Sequence, residues 1–222
     1  MINFIINKLK YRSFKKKWRN VNSNNLTLPK KIFKLDLVEI GDGTYGTIDI
    51  ETWGHPNEKL IIGRYCSIAK EVKFLLGGNH DFDHLSTYPF PYYFEKKLKP
   101  GNTAGPIIVE DGAWIGTHVL ILSGVTIGKG AIIGAGCVVS KDVPRYAIVV
   151  GNPMKIVKYR FTEELRNRLN NIDYYSFINK EFYIRNHELL RSPLSEDLIN
   201  ILEQESARIG THGISSDDYK TK

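Results

Sequence analysis

The chain carries six histidines, and one of them, His80, lies in a stretch with the composition of a shaped loop. It reads Gly77, Gly78, Asn79, His80, Asp81, Phe82, Asp83, His84, Leu85, Ser86, Thr87, Tyr88, Pro89, Phe90. An unperturbed imidazole titrates at about pH 6.5, so it can take a proton from a hydroxyl and return it to a leaving group. Taken alone, His80 is equally well described as a loop histidine bonded to a turn. His84 and His118 raise a second chemistry, because three imidazoles can hold a metal and activate water. That requires His80, His84 and His118 to converge, and nothing in their spacing demands it. No cysteine or clear carboxylate ligand joins them, so no metal is expected.

The elements that must position this loop follow from an internal repeat. Val109, Ile115, Ile121, Ile127, Ile133 and Val139 recur at an interval of six, and Ala113, Val119, Val125, Ala131, Cys137 and Val143 each follow four residues later. A period of six fits neither a helix nor simple strand alternation. It fits short strands joined by tight turns, each unit forming one side of a parallel β-helix with three sides to an eighteen-residue coil. The interval recurs at Ile62, Ile68 and Phe74, which supply earlier coils. Ile40 to Gly43 looks like a first turn, although Thr44 to Pro56 breaks the spacing. Residues 75–108 leave the wall as a loop, and a long loop on a rigid scaffold is where function concentrates. Cys66 and Cys137 form no disulfide framework and fall on the second repeat position, where they read as small core residues.

The loop residues Gly77, Asn79 and His80, followed by Ser86 to Phe90, resemble the xenobiotic acetyltransferase group of hexapeptide-repeat acyltransferases. Asp111, Trp114, Ile115 and Gly116 match as well, as do Ser140 to Asp142 and Gly151 to Pro153. The resemblance spans roughly residues 60–161. It implies a mainly β fold, a left-handed parallel β-helix with an extended active-site loop and C-terminal α-helices. It further implies a homotrimer with active sites between subunits, acetyl-CoA as co-substrate, and His80 as the general base of direct acetyl transfer.

The same resemblance assigns the donor site. Thr117 and Ala135 line the pantetheine arm, Trp114 packs near its thiol end, and Ser140 and Lys141 lie further along. Asn152 and Pro153 close the row, and Lys155 and Lys158 meet the nucleotide phosphates, where a lysine acts as a point charge. The spacing of Thr117, Ala135 and Pro153 by eighteen residues stacks them on successive coils. Acceptor contacts are expected from Asn79, Tyr45 and Tyr88. Phe90, Tyr92, Tyr93 and Phe94 could line the same wall or pack the loop against a neighbouring subunit.

The net charge of +7 is local, since Lys8, Lys10, Arg12, Lys15, Lys16, Lys17 and Arg19 precede every acidic residue. Ile2, Ile5, Ile6 and Leu9 fit one helical face and Phe14 and Trp18 drift off it. This segment reads as a solvated lead-in docked on the body, or as a peripheral contact of residues 1–19 with anionic lipid. No signal-peptide pattern or membrane-length apolar run is seen, so a cytoplasmic location is expected. Confinement of the charge to one terminus, with no accompanying motif, argues against nucleic acid.

The expected layout is a lead-in over 1–28, the β-helix over 29–158, a helical cap over 159–209 and a disordered tail over 210–222. Trp18 to Asn20, Tyr45 and Gly46 resemble surface-polysaccharide acetyltransferases. The expected reaction is therefore O-acetylation of a sugar hydroxyl in making capsule or lipopolysaccharide, on a carbohydrate acceptor that could be lipid-linked. The alternatives are acetylation of chloramphenicol or streptogramin, N-acetylation of an amino sugar, and a non-catalytic or metal-binding β-helix.

Overall fold

The first-position residues of the repeat point inward throughout. In the computed structural model, which describes residues 2–96 and 101–209, Ile62, Ile68, Phe74, Val109, Ile115, Ile121, Ile127, Ile133 and Val139 are no more than 3% exposed. The second positions, from Cys66 to Val143, are buried as well.

Three sheets carry them. One contains Val38–Ile40, Leu60–Ile62, Ile107–Val109 and Thr126–Ile127, and another contains Ile50–Glu51, Lys73–Leu75, Leu120–Ile121 and Val138–Val139. The third runs through Leu26–Pro29, Tyr45–Ile48, Ser67–Ile68, Trp114–Ile115, Ile132–Ile133 and Ala147–Val150 to the antiparallel strand Lys155–Tyr159. Consecutive strands visit the sheets in rotation, so the chain winds as a three-sided parallel β-helix. Like stacks on like: Ile68, Ile115 and Ile133 are in register, as are Phe74, Ile121 and Val139.

All but one of these corners place a left-handed residue before the second inward position, the exception being Asp142 before Val143. Gly112 and Gly130 supply it at φ 66° and 63°, where glycine meets no steric cost. Tyr65, Glu71 and His118 adopt the same conformation at φ 54°, 59° and 57°, at a cost of roughly 1–2 kcal/mol each. His118 is thus a corner residue of the wall.

Two buried acids brace the coils. Asp111 accepts from the Arg64 backbone N–H at 2.6 Å and from its guanidinium at 2.6 and 3.2 Å. Glu110 accepts from Arg145 at 2.6 and 2.9 Å and from the Lys129 N–H at 2.8 Å. Such forked, charge-assisted bonds are what makes burial of a carboxylate tolerable.

The N-terminal region differs from expectation in two ways. Ile2–Val21 is a helix, but it docks through Phe14 and Trp18, the residues that drift off the apolar face. Both rings meet Phe33 edge-on at 5.2 and 5.5 Å, and the Trp18 indole N–H donates to the Thr27 carbonyl at 3.2 Å. Ile5, Ile6 and Leu9 remain exposed. The wall also begins earlier than residue 29, because Leu26–Pro29 pairs with Tyr45–Ile48. Its pattern is inverted, with Thr27 and Pro29 buried and Leu26 and Leu28 exposed, which hides the strand from a hydrophobicity reading. Thr44 to Pro56 continues the first coil, since Ile48 and Ile50 are fully buried and Ile50 pairs with Phe74.

The residues up to Tyr159 form one compact unit, and a second begins at Arg160. The second unit contains helices Glu163–Asn170, Lys180–Arg191 and Glu196–Ile209. Thr162 caps the first of these through the Leu165 N–H, and Asn179 caps the second through the Phe182 N–H. The Arg168 guanidinium reaches Glu196, Asn200 and Glu203 on the third at 2.5 to 2.9 Å. The tail 210–222, expected to be disordered, lies outside the described residues. No helix among the described residues is long and apolar enough to cross a membrane.

Replacing His118 with Gly is expected to raise stability by roughly 0.5–1 kcal/mol, the relief of left-handed strain less the entropy glycine loses. Urea unfolding of wild type and His118→Gly would measure it, and a loss of stability would contradict the corner assignment.

Candidate functional site

His80 stands on a loop that rises from Lys73–Leu75 and returns at Ile107–Val109, and a backbone pair ties its two limbs together. The Asn79 N–H donates to the Asn102 carbonyl at 2.9 Å and the Asn102 N–H to the Asn79 carbonyl at 3.0 Å. The Asn102 side-chain amide donates to Asp81, so both neighbours of His80 are fixed by one residue across the loop. Ser123, on the wall, accepts from the Asn79 amide at 3.4 Å and from the Ala104 N–H at 3.2 Å. The Thr103 hydroxyl donates to the Leu76 carbonyl at 2.6 Å.

Among the described residues one hydrogen bond orients the imidazole. His80 Nδ1 lies 2.6 Å from the Thr87 carbonyl oxygen. A carbonyl oxygen can only accept, so this bond puts the proton on Nδ1 and leaves Nε2 as a base. His80 is exposed, which leaves its ring open to an incoming acceptor.

Beside it is a cavity of about 430 Å³, lined by His80, Asn79, Tyr88, Asp81, His84, Asn102, Tyr92 and Trp53 among others. Two candidates named from the sequence, Asn79 and Tyr88, therefore meet His80 here. Tyr45 does not line it. In register with Ser67, which pairs in turn with Trp114, Tyr45 belongs to the outer column of the wall that carries Trp114. Among the loop aromatics, Tyr88, Phe90, Tyr93 and Phe94 pack on one another, with ring centroids 4.9 to 6.0 Å apart.

Trp53, Glu58 and Asn102 are absent from the sequence reading. Glu58 is 2% exposed and accepts the backbone N–H groups of Trp53 at 2.8 Å and Gly54 at 3.1 Å. That sets the Trp53 ring against Gly78, where an added Cβ would sit 2.6 Å from Trp53 Cε2 and where φ is +87°. The adjacent glycines before Asn79 were the available signal, since close backbone approach is one reason for glycine in a loop.

His84 Nδ1 is 3.7 Å from Asp81 Oδ2, and His118 is on the wall. Among the described residues no three His, Cys, Asp or Glu side chains are grouped to hold a metal. Both cysteines are buried. Burial pushes the Cys66 thiol up to about 12 and raises that of Cys137, so neither is a nucleophile near neutral pH.

The donor candidates are all exposed. Trp114 is 54% exposed. Thr117 and Ala135 occupy the same corner one coil apart, where the Gly136 N–H donates to the Thr117 carbonyl at 2.8 Å. Pro153 departs from the expected stack. Ile115 pairs with Ile133, eighteen residues on, but Ile133 pairs with Val149, only sixteen on. The last coil is short because one of its sides is reduced to the bridge between Ile127 and Val143, so Gly151 comes level with Ala135 and Asn152 and Pro153 lie beyond. Ser140 and Lys141 are exposed at the corner after Val138–Val139.

Lys155 and Lys158, three residues apart, would face opposite ways on a regular strand. A bulge between Ile148 and Val149 changes this, pairing Lys155 with Val150 and Lys158 with Ile148. Ile148 and Val150 alternate with buried Ala147 and Val149, so both lysines face outward together. Exposed small residues at the corner and two outward lysines beyond it fit a long thiol arm ending in phosphates.

Residues 106–141 match the family model "Bacterial transferase hexapeptide (six repeats)". The chain is 42% identical over 114 residues to the chloramphenicol acetyltransferase of Klebsiella aerogenes, covering 48% of this chain and 54% of that one. It thus spans about half the length of that relative. It is 38% identical over 151 residues to a probable macrolide acetyltransferase of Lysinibacillus sphaericus, covering 64% of this chain and 83% of the relative. A hexapeptide-repeat acetyltransferase of Vibrio cholerae O1 biovar eltor, solved in complex with acetyl coenzyme A, aligns with a TM-score of 0.47 at 24% identity. That alignment covers 65% of this chain and 76% of the other.

The buried thiols give a direct check of the core. The native protein is expected to show no thiol reacting rapidly with an aromatic disulfide reagent, and the denatured protein two; a fast native thiol would contradict the placement of Cys66 or Cys137.

Proposed function

The chain belongs to the hexapeptide-repeat acetyltransferases, and from that membership we propose that it moves an acetyl group from acetyl-CoA to a hydroxyl, with His80 as general base. The observation that carries this reading is the His80 Nδ1 contact to the Thr87 carbonyl beside the cavity. The acceptor hydroxyl gives its proton to Nε2 as its oxygen attacks the thioester carbonyl. The carbon–sulfur bond then breaks and the proton passes to the departing thiolate, so no covalent acyl-enzyme is needed.

Trp114, Thr117, Ala135, Ser140 and Lys141 would hold the thiol arm, with Asn152 and Pro153 beyond them and Lys155 and Lys158 toward the phosphates. The coil is left-handed, the active assembly a homotrimer and the location cytoplasmic, in keeping with the family resemblance and its donor.

For the acceptor, the cavity supports a saccharide. Aromatic faces from Trp53, Tyr88 and Tyr92 stand among hydrogen-bonding groups from Asn79, Asp81, Ser86 and Asn102, a mixture suited to a ring with both apolar faces and hydroxyl edges. A polysaccharide acceptor in capsule or lipopolysaccharide synthesis fits that chemistry. A second reading, transfer to an antibiotic hydroxyl, is favoured by the names of the chloramphenicol and macrolide acetyltransferase relatives.

Thiol release from acetyl-CoA, with sugars, oligosaccharides, chloramphenicol and a macrolide as acceptors, tests both. Stimulation by a saccharide is expected, and stimulation by an antibiotic alone would select the second reading. His80→Ala is expected to lose a factor of about 10²–10⁴ in kcat; equal rates for mutant and wild type would remove His80 from the reaction. Asn102→Ala, which removes the side-chain tie to Asp81 while keeping the backbone pair with Asn79, is expected to lower kcat about tenfold by misplacing the imidazole, leaving the KM for acetyl-CoA unchanged. A rise in that KM alone would contradict its positioning role.

A further inference from the structure

The N-terminal helix carries apolar side chains in two directions. Phe14 and Trp18 hold it to the wall, assisted by the Tyr11 hydroxyl, which donates to the Pro29 carbonyl at 2.6 Å. Successive helix residues are turned by about 100°, which places Ile5, Ile6 and Leu9 on the side opposite Phe14 and Trp18. They are 51%, 41% and 56% exposed. Nothing among the described residues of this unit covers them.

Cations frame this stripe. By the same rotation, Lys8, Arg12 and Lys15 run along one border and Lys10 and Lys17 along the other, with Lys16 beyond Leu9, all exposed. The first acidic residue of the chain is Asp36. Arg19 differs from the others: its guanidinium is spent on the backbone carbonyls of Asn22, Asn25 and Thr27 at the helix end. Six of the seven basic residues are thus displayed, and one is structural.

We propose that this face seats the protein on a bilayer surface containing anionic lipid, with Ile5, Ile6 and Leu9 among the acyl chains and the lysines at the headgroups. An apolar stripe between basic borders is what an interfacial helix requires. A second copy of the chain would bring six cations against six, so self-association of this face is opposed by charge. A nucleic-acid backbone would satisfy the lysines but leave the aliphatic stripe in water. The docked side of the helix faces away from the stripe, so the wall and its loop stay clear of the lipid while the helix lies in the interface.

The test is co-sedimentation of the full chain with vesicles of phosphatidylcholine alone and of phosphatidylcholine mixed with phosphatidylglycerol. Binding to the anionic vesicles, weakened by salt and largely absent from the neutral ones, is expected. Lys10→Ala with Lys17→Ala should weaken it roughly 25-fold, about fivefold for each cation near the surface. Ile5→Ser with Leu9→Ser should weaken it at least about tenfold by removing the inserted stripe. Both pairs are exposed, so melting curves and acetyl transfer to a soluble acceptor should be unchanged, which keeps this outcome separate from the assignment of His80. No binding to anionic vesicles, equal binding to neutral ones, or wild-type binding by both variants would overturn the proposal. A change of oligomeric state in the Ile5/Leu9 variant by sedimentation velocity would also overturn it, in favour of a second copy.

Discussion

One hydrogen bond sets the terms for the site: His80 Nδ1 to the Thr87 carbonyl, at 2.6 Å. An imidazole free to rotate or to exchange tautomers would offer a hydroxyl the wrong nitrogen much of the time, whereas a ring tied at Nδ1 offers Nε2. The tie is only as good as the loop that makes it, because its two ends are seven residues apart on an exposed segment. The Asn79 and Asn102 backbone pair, the Asp81 contact and the Trp53 ring wedged on Gly78 convert that segment into a fixed frame.

The frame is rigid because its base is. Loop limbs leave from strands whose inward residues stack in register across coils, so a displacement at one corner must be taken up by every coil around it. Asp111 and Glu110 add a second constraint by bonding arginines from other coils, a geometry in which removing the arginine takes the countercharge from a buried carboxylate. Four corners, at Tyr65, Glu71, His118 and Tyr146, accept side chains in the left-handed conformation. The stacking of neighbouring coils offsets that strain.

The period of six made the inward residues legible, because position along a coil and burial are nearly the same information. From Ile62 to Val139 every residue assigned inward by spacing is buried. Legibility failed where burial and hydrophobicity part company. Leu26–Pro29 buries Thr27 and Pro29 and exposes its leucines, and Thr27 is held by the Asn25 side chain rather than by apolar packing. Phe14 and Trp18 are buried because Phe33 is there to meet them, which no helical periodicity encodes. At the site, the family motif marked His80, Asn79 and Tyr88, but Trp53 and Glu58 arrive from a turn between coils and Asn102 from the returning limb. The bulge that turns Lys155 and Lys158 the same way is likewise a property of pairing, not of local spacing.

The most direct test of the central claim is the protonation state of His80 itself. Long-range proton–nitrogen correlation spectra of protein labelled with ¹⁵N at histidine, compared with His80→Ala to identify the resonance, report which ring nitrogen carries the proton in the neutral form. The expected result is a proton on Nδ1 and a bare Nε2. A proton on Nε2 would contradict the role given to the Thr87 carbonyl, and with it the assignment of His80 as the base.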